Sequence, residues 1–115
     1  MGKRDDIVKH LPLSEATYYI MLMLVEPMHG YGVMQQVEEE TDGAITIGPG
    51  TLYGAFSTLE KQGLIEMVRK DGRRKLYALT DKGETVLRRQ IERYQMMTRS
   101  GEQILERISE SVRES

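Results

Sequence analysis

Apolar and polar residues recur along the chain at spacings that predict helices first. Residues 16–25 are almost entirely apolar; Ser14 precedes them as a helix N-cap, and Pro27 ends the run. Residues 33–41 carry one apolar face and predict a second helix, which Gly43 ends. Because a helix that is apolar on every side must be covered on every side, we expect a second subunit to cover the first of these helices.

The next segments predict a short strand and a third helix. Glycine-rich residues 29–32 form a connector before the second helix, and residues 44–47 alternate with the period of an edge strand. A third helix is predicted over residues 49–62, where Pro49 suits the first turn and apolar residues recur at helical spacing. The opposite face of this helix is small and polar, so another molecule can approach it closely.

A basic hairpin is predicted after the third helix. Residues 64–70 and 73–79 have the character of strands, and Asp71-Gly72 between them is a strong signal for a tight turn. Residues 69–75 at the tip include five cations and one acid. A tip so rich in cations, placed after a helix with a polar face, favours contact with a polyanion.

The last predicted helix runs from Asp81 to about Val112, with Thr80 as its N-cap. At ~1.5 Å per residue it is roughly 48 Å long, whereas a compact domain of this size is roughly 30 Å across. Its apolar positions follow a heptad spacing, weakened in the middle by Thr98 and Gly101. A seam that projects beyond its own core must be buried on a partner, which predicts a homodimer. The predicted dimer interface comprises Leu87, Ile91, Tyr94, Leu105 and Ile108, with Tyr18 and Leu22 of the first helix.

Composition and charge narrow the function. The chain has 115 residues and no cysteine, so it has room for one domain and no disulfide or thiolate zinc site. The net charge of −2 argues against a nucleic-acid partner, but the distribution reverses that argument. Residues 61–93 carry a net charge of +5, and the preceding residues 1–60 carry −6. The positive potential is therefore concentrated on the hairpin and its neighbours.

Other classes of protein fit the sequence poorly. The apolar run at residues 18–25 is far shorter than the ~20 residues of a membrane span, so we expect a cytoplasmic protein. Residues 1–12 are charged and are expected to form a flexible leader. No arrangement typical of an enzyme is present, and His10 and His29 are too isolated for a zinc site. A structural or capping role is therefore expected for these histidines, and no metal or other cofactor.

In order and spacing, the motifs of this chain resemble those of the PadR family of bacterial transcriptional regulators. The resemblance rests on residues 29–32 (HGYG), 48–53 (GPGTLY), 59–65 (LEKQGLI), 73–77 (RRKLY) and 79–83 (LTDKG). It covers roughly residues 13–112, and the single long final helix is similar to that of the short-tailed subfamily.

This resemblance implies a mainly α (α+β) fold with a winged helix-turn-helix domain over residues 13–80 and a dimerisation helix over residues 81–115. Residues 49–62 are then the recognition helix and residues 64–79 the wing. The resemblance also implies a homodimeric repressor that binds a palindromic promoter element and is released by a small aromatic or drug-like ligand. In such proteins the ligand lies between the C-terminal helices and the first helix, near Tyr94 here.

The candidate site residues follow from these assignments. Contacts to double-stranded DNA are expected from Gly50, Thr51, Tyr53, Ser57 and Lys61, from the wing residues Lys70, Arg73, Arg74 and Lys75, and from Tyr31. The candidate effector pocket consists of Tyr94, Met97, Met23 and Tyr19. Tyr31, Tyr53 and Tyr77 are alternatively core aromatics, and the methionines are alternatively adaptable core residues.

A second function also fits the heptad seam. The chain is alternatively a protein-interaction adaptor that binds another helix through residues 81–115, with a non-functional winged domain. An adaptor, however, has no need for the cations between Arg69 and Lys75. The chemistry of the wing therefore distinguishes the two functions.

Overall fold

The computed structural model describes residues 3–114, and the side chains of residues 6–112. The elements in chain order are α1 (Lys3–Val8), α2 (Glu15–Met23), α3 (Gly30–Glu40), α4 (Pro49–Lys61), β1 (Ile65–Asp71), β2 (Arg74–Leu79) and α5 (Asp81–Glu114). The two strands form one antiparallel sheet. The mainly helical fold with a basic hairpin and a long last helix is the one predicted from the sequence.

The apolar helix α2 lies at the centre of the core. Ile20 and Met21 are fully buried, and α2 contacts both α3 and α5. The remaining apolar residues of α2 are half-buried and pack against the same core. Much of the cover that we expected from a second subunit therefore comes from the same chain.

Helix α2 ends at Met23, two residues earlier than predicted, because the chain turns to join the hairpin. The carbonyl oxygen of Leu24 accepts the N–H of Leu79 at 2.8 Å. Met28 and Tyr77 exchange two backbone hydrogen bonds of 3.0 Å each. The hairpin is thus attached to the segment between α2 and α3, which contributes a single antiparallel bridge to the sheet.

The connector predicted at residues 29–32 is instead the start of α3. His29 is the N-cap, and its Nδ1 atom accepts the backbone N–H of Gly32 at 3.1 Å. This side-chain acceptor satisfies one of the free N–H groups at the helix start. The helix therefore begins three residues before the position predicted from its apolar face, and its glycines lie in the first turn.

The edge strand predicted at residues 44–47 is absent from the described structure. Asp42 and Gly43 have positive φ angles of 50° and 79°, which turn the chain away from α3. The Thr41 hydroxyl then accepts the N–H of Ile45 at 3.0 Å and lies 3.2 Å from its carbonyl oxygen. These local bonds replace strand pairing, and only Ile47 of the segment is buried in the core.

The hairpin forms as predicted, with its turn shifted by one residue. Asp71 pairs with Arg74, so the two-residue loop is Gly72-Arg73 and Asp71 belongs to β1. Gly72 has a φ of 64°, which suits the first central position of a tight hairpin turn. An irregularity in the register at Val68 lies between this tip and the base of the sheet.

The N-terminal segment, for which the sequence predicted a flexible leader, contains a helix in the described structure. Residues 3–8 form α1, which packs on α5, and Ile7 and Leu11 contact the core. The Asp6 carboxylate binds Lys9 at 2.9 Å and Lys82 of α5 at 3.2 Å. Ile7 in α1 and Leu11 just after it are four positions apart and give the segment an apolar side that its charged composition concealed. Residues 1 and 2 lie outside the described part.

Helix α5 is continuous over 34 residues, as predicted, and its two halves have different environments. Val86, Leu87 and Gln90 are buried, and the Gln90 Oε1 atom accepts the backbone N–H of Leu13 at 2.6 Å. Beyond Tyr94 every described side chain of the helix is exposed. None of the described helices, α5 included, has the apolar length that a membrane span requires.

One prediction concerns the close contact between α5 and the base of the hairpin. A Cβ atom at Gly83 would overlap the carbonyl oxygen of Leu64, which accepts the N–H of Thr80. We expect Gly83→Ala to lower the free energy of unfolding by about 2 kcal/mol, because backbone must move. Gly101→Ala is the matched control: nothing lies near its Cβ position, and alanine there should stabilise the helix by about 0.5–1 kcal/mol. Urea unfolding measures both, and equal effects would contradict this packing.

A second prediction concerns pH and the docking of α1. Hydrogen bonds from Lys9 and then Lys82 lower the pKa of Asp6 below its ordinary value of 3.8. The stabilisation is therefore complete above pH 3.8 and is lost as the pH falls through the lowered pKa. We expect Asp6→Asn to speed hydrogen exchange in α1 at neutral pH but not at a pH low enough to protonate Asp6. A difference that persists in acid would show that the carboxylate is not the cause.

Candidate nucleic-acid interface

The angle between α3 and α4 depends on a close contact at Gly30. A Cβ atom there would lie 2.8 Å from the Leu52 side chain and 2.8 Å from the Tyr53 ring. Gly30 itself is buried, so α4 packs directly on the first turn of α3. This contact directs the polar face of α4 outward, as in a helix-turn-helix.

The outer face of α4 is shaped by two glycines that the fold does not require. Leu52, Phe56 and Leu59 face the core, whereas Gly50 and Gly54 are exposed with nothing near their Cβ positions. Neither glycine has a positive φ. A glycine in the middle of a helix, such as Gly54, is about 0.5–1 kcal/mol less favourable than alanine, and both glycines leave the backbone of α4 open to close approach.

All ten residues predicted to contact DNA are exposed, and six of them line one groove. The groove has a volume of about 450 Å³ and lies between the start of α3, the outer face of α4 and the hairpin. From the predicted set it is lined by Tyr31, Tyr53, Ser57, Arg73, Arg74 and Lys75. Gly50, Thr51, Lys61 and Lys70 lie outside this lining.

The groove is bordered by cations that have no acidic partner in the described part of the chain. The four ion pairs found there all join residues of α5 or the N-terminal segment, and none includes a cation of the hairpin. Lys61 lies in a second positive region with Lys9 and Lys82, where burial and then these two lysines lower the pKa of His10. The positive charge of the hairpin is therefore available to a polyanion.

The aromatic residues divide between the core and the surface. Tyr77 is half-buried with its ring centroid 5.0 Å from that of Phe56, and burial, then the nearby Glu60, raises its pKa. Tyr31 is 59% exposed and Tyr53 is 55% exposed. Of the three tyrosines whose role the sequence left open, Tyr77 packs against the core and also lines the groove, whereas Tyr31 and Tyr53 are exposed there.

Five residues that line the groove were not among those predicted from the sequence to bind DNA: Gly30, Phe56 and Tyr77, which pack in or against the core, and the polar residues His29 and Glu60. His29 lines it as the N-cap of α3, and its Nε2 atom lies 3.2 Å from Nη1 of Arg74. Glu60 of α4 also lines the groove. The sequence contains one indication of where His29 lies. A histidine can cap a helix by accepting the backbone N–H of the residue three positions later, which here is Gly32.

The candidate effector residues lie on α2 and α5, where aromatic rings of the two helices are in contact. The rings of Tyr18 and Tyr94 meet edge to face at 4.9 Å, and Tyr19 contacts Tyr18 at 5.4 Å. Met23 is half-buried and Met97 is exposed.

An apolar groove of about 410 Å³ lies elsewhere on α5, against α1, and is lined by Ile7, Val8, Leu11, Arg89, Glu92, Arg93 and Met96. No cluster of metal-binding side chains occurs among the described residues.

The residues of the predicted dimer interface fall into two groups. Leu87 is 5% exposed and packs within its own core, while Ile91, Tyr94, Tyr18 and Leu22 are half-buried. In the projecting half of α5, Leu105 and Ile108 are 65% and 55% exposed. Leu87 therefore exposes little surface to a second subunit, whereas Leu105 and Ile108 each expose more than half of theirs.

A third prediction tests the contact that orients α4. Gly30→Ala should lower the free energy of unfolding by about 1–3 kcal/mol, because the added methyl group must displace both Leu52 and Tyr53. Gly54→Ala on the outer face of α4 is the control and should leave stability unchanged or raise it by about 1 kcal/mol. Thermal unfolding of both variants provides the comparison, and a destabilised Gly54→Ala would contradict the open surface described for α4.

Comparison with known proteins agrees with this geometry. The model of the transcriptional regulator PadR-like family matches residues 19–89. Over 69 residues, 60% of this chain, the sequence is 33% identical to the transcriptional regulator YqjI of Escherichia coli strain K12. A transcriptional regulator from Clostridium thermocellum has a TM-score of 0.69 at 23% identity, covering 90% of this chain and 97% of that one. A PadR family transcription regulator from Clostridium difficile R20291 has a TM-score of 0.66 at 25% identity, covering 77% and 97%.

Some of the relatives are much longer than this chain. It spans 33% of the length of YqjI and 22% of that of a transposon-encoded protein of Streptomyces fradiae, which is 31% identical over 78 residues. The family match nevertheless covers more than half of the chain and includes α3, α4 and the hairpin. Members of this family are transcriptional regulators and not enzymes. The resemblance found in the motifs is confirmed: the chain belongs to the PadR-like family of transcriptional regulators.

Proposed function

We propose that this protein is a cytoplasmic, homodimeric repressor that binds a palindromic promoter element through α4 and the hairpin. The observation that carries the proposal is the groove itself. It joins the polar face of the second helix of a helix-turn-helix to a hairpin tip whose cations have no acidic partner among the described residues. A duplex with phosphates on both sides of its major groove is complementary to this surface.

In the proposed complex, α4 enters the major groove and the hairpin contacts the flanking backbone. Gly50 and Gly54 allow the helix to approach closely, and Thr51 and Ser57 on the same face have short polar side chains. Because these side chains reach few base edges, we expect much of the specificity to come from DNA shape and bound water. Arginine at the hairpin tip suits a narrow minor groove.

Dimerisation through α5 supplies the symmetry that a palindromic element requires. The distal half of α5 projects from the core with exposed apolar residues at Ile104, Leu105 and Ile108. Two such helices related by a two-fold axis would bury these residues on each other. The two copies of α4 would then lie about 34 Å apart, which is one turn of the duplex.

A small aromatic effector would act where α2 meets α5. Tyr18 and Tyr94 are the aromatic pair at that contact, with Tyr19, Met23 and Met97 on the same two helices. A ligand that packs between these rings would change the angle between α2 and α5. Because α5 links the two subunits in the proposed dimer, the spacing of the two α4 helices would change with it.

The alternative function, a helix-binding adaptor, explains only part of the structure. It accounts for the exposed apolar residues of distal α5. It gives no reason for the glycines on the outer face of α4 or for the cations at the groove. We therefore retain it as the outcome expected if DNA binding fails.

The fourth prediction tests DNA binding and dimerisation separately. With about three cations per subunit on phosphates, a dimer should bind promoter DNA of its own and neighbouring genes with a log–log salt slope of about −5. Arg73→Ala with Arg74→Ala removes four charges per dimer, so the slope should fall to about −1 to −2. Arg88→Ala with Arg89→Ala removes the same charge from α5, outside the groove, and should leave the slope nearly unchanged.

Truncation after Tyr94 should have the converse effect. Sedimentation should show a monomer, because the distal apolar residues of α5 are removed, and operator affinity should fall with the loss of the second half-site. The double arginine variant should remain a dimer. Unchanged DNA affinity in the arginine variant would favour the adaptor, and a monomeric full-length chain would contradict the homodimer.

A further inference from the structure

The imidazole of His29 is approached by two hydrogen-bond donors, and a neutral imidazole can accept from only one. The backbone N–H of Gly32 lies 3.1 Å from Nδ1, and Nη1 of Arg74 lies 3.2 Å from Nε2. A neutral histidine has one nitrogen that accepts and one that carries a proton, while a guanidinium has donors only. The two contacts therefore cannot both be hydrogen bonds to the ring.

Of the two contacts, the capping hydrogen bond from the N–H of Gly32 to Nδ1 is the more favourable one. The Gly32 N–H is one of the free donors at the start of α3, and Gly32 is half-buried, so without Nδ1 it would lose its acceptor where water has limited access. Arg74 is exposed, so water satisfies its donors without help from His29. The ring is then in the tautomer that accepts at Nδ1 and carries its proton on Nε2.

In that tautomer, two donors face each other across 3.2 Å with no acceptor between them. An oxygen atom beside the pair can accept from Nε2–H of His29 and from the guanidinium of Arg74 at once, and an anionic oxygen does so most favourably. We propose that His29 and Arg74 together bind one phosphate oxygen of the DNA backbone. This proposal rests on the proposed DNA binding of the same groove.

The surrounding structure fixes the distance between the two donors. His29 is held to α3 by its cap, and its neighbour Met28 exchanges two backbone hydrogen bonds with Tyr77 of the hairpin. Arg74 lies three residues before Tyr77 on the same strand. The helix-turn-helix and the wing therefore meet at this pair, and a phosphate bound there contacts both at the same time.

The charges around the pair also suit a phosphate. Arg73 and Lys75 line the same groove, and Glu60 on α4 is its acidic residue. No ion pair between Glu60 and Arg74 occurs in the described structure. The position is thus net positive, and its donors are not already occupied by a carboxylate.

The first test reads the tautomer directly. Long-range ¹H–¹⁵N spectra of the full-length protein distinguish a protonated Nε2 from a protonated Nδ1 in a neutral histidine. We expect the Nε2-protonated form in the free protein and in its complex with a mixed-sequence DNA duplex, with the Nε2 proton shifted in the complex. A proton on Nδ1 would mean that Arg74 donates to Nε2 within the protein, and it would overturn the proposal.

The second test separates the two roles of His29 by a matched pair of variants. His29→Asn keeps a side-chain oxygen that caps α3 but removes the distal donor, so stability should persist while affinity for a mixed-sequence duplex falls about tenfold. His29→Gln places an amide N–H near the former Nε2 but caps less well. It should lower the Tm by about 4 °C and recover much of the lost affinity.

Comparison with Arg74→Ala completes the test. In the Arg74→Ala background, His29→Asn should weaken binding less than tenfold, because the two donors share one oxygen. The salt slope should fall for Arg74→Ala but not for His29→Asn, since neutral His29 releases no counterion. Wild-type affinity in His29→Asn, or strictly additive losses, would overturn the shared site while leaving DNA binding intact. A wild-type protein that binds no duplex would instead refute the proposed function.

Discussion

Three backbone hydrogen bonds attach the hairpin to the segment between α2 and α3, and the geometry of the groove depends on them. Leu24 accepts from Leu79, and Met28 exchanges two bonds with Tyr77. A two-stranded hairpin by itself is marginally stable in water. The attachment holds the cationic tip beside the start of α3, so that His29 and Arg74 lie next to each other although 45 residues separate them.

Helix α5 serves two purposes because its two halves have different surroundings. The first half completes the core of the winged domain, where Gln90 also binds the backbone of the segment before α2. The second half leaves the domain with apolar residues exposed. Since the helix is continuous, any movement of the distal half is transmitted to the domain that carries α4. This rigid connection is the physical basis for the proposed coupling between an effector and DNA.

The elements that the sequence predicted well are those with strong local signals. Pro49 and the apolar spacing from Leu52 onward located α4, and Asp71-Gly72 located the hairpin to within one residue. The elements that it predicted poorly depend on contacts distant in sequence or on side-chain capping. The early start of α3 needs the His29 ring, and the folded α1 needs Lys82 and the surface of α5. The loop at residues 44–47 alternates like a strand, but no strand of the described structure lies beside it to pair with.

The sequence by itself determined the family, the order of the helices and hairpin, and the residue types of the candidate interface, because these depend on local periodicity and motifs. The tertiary structure decided which residues meet. Six of the ten predicted DNA-binding residues line one groove, Tyr77 packs against the core, and Leu87 packs within its own domain. Periodicity specifies which side of an element is apolar, but not which neighbour covers it. Periodicity therefore could not predict the pairing of His29 with Arg74, because that pairing follows from how the hairpin docks on the helices.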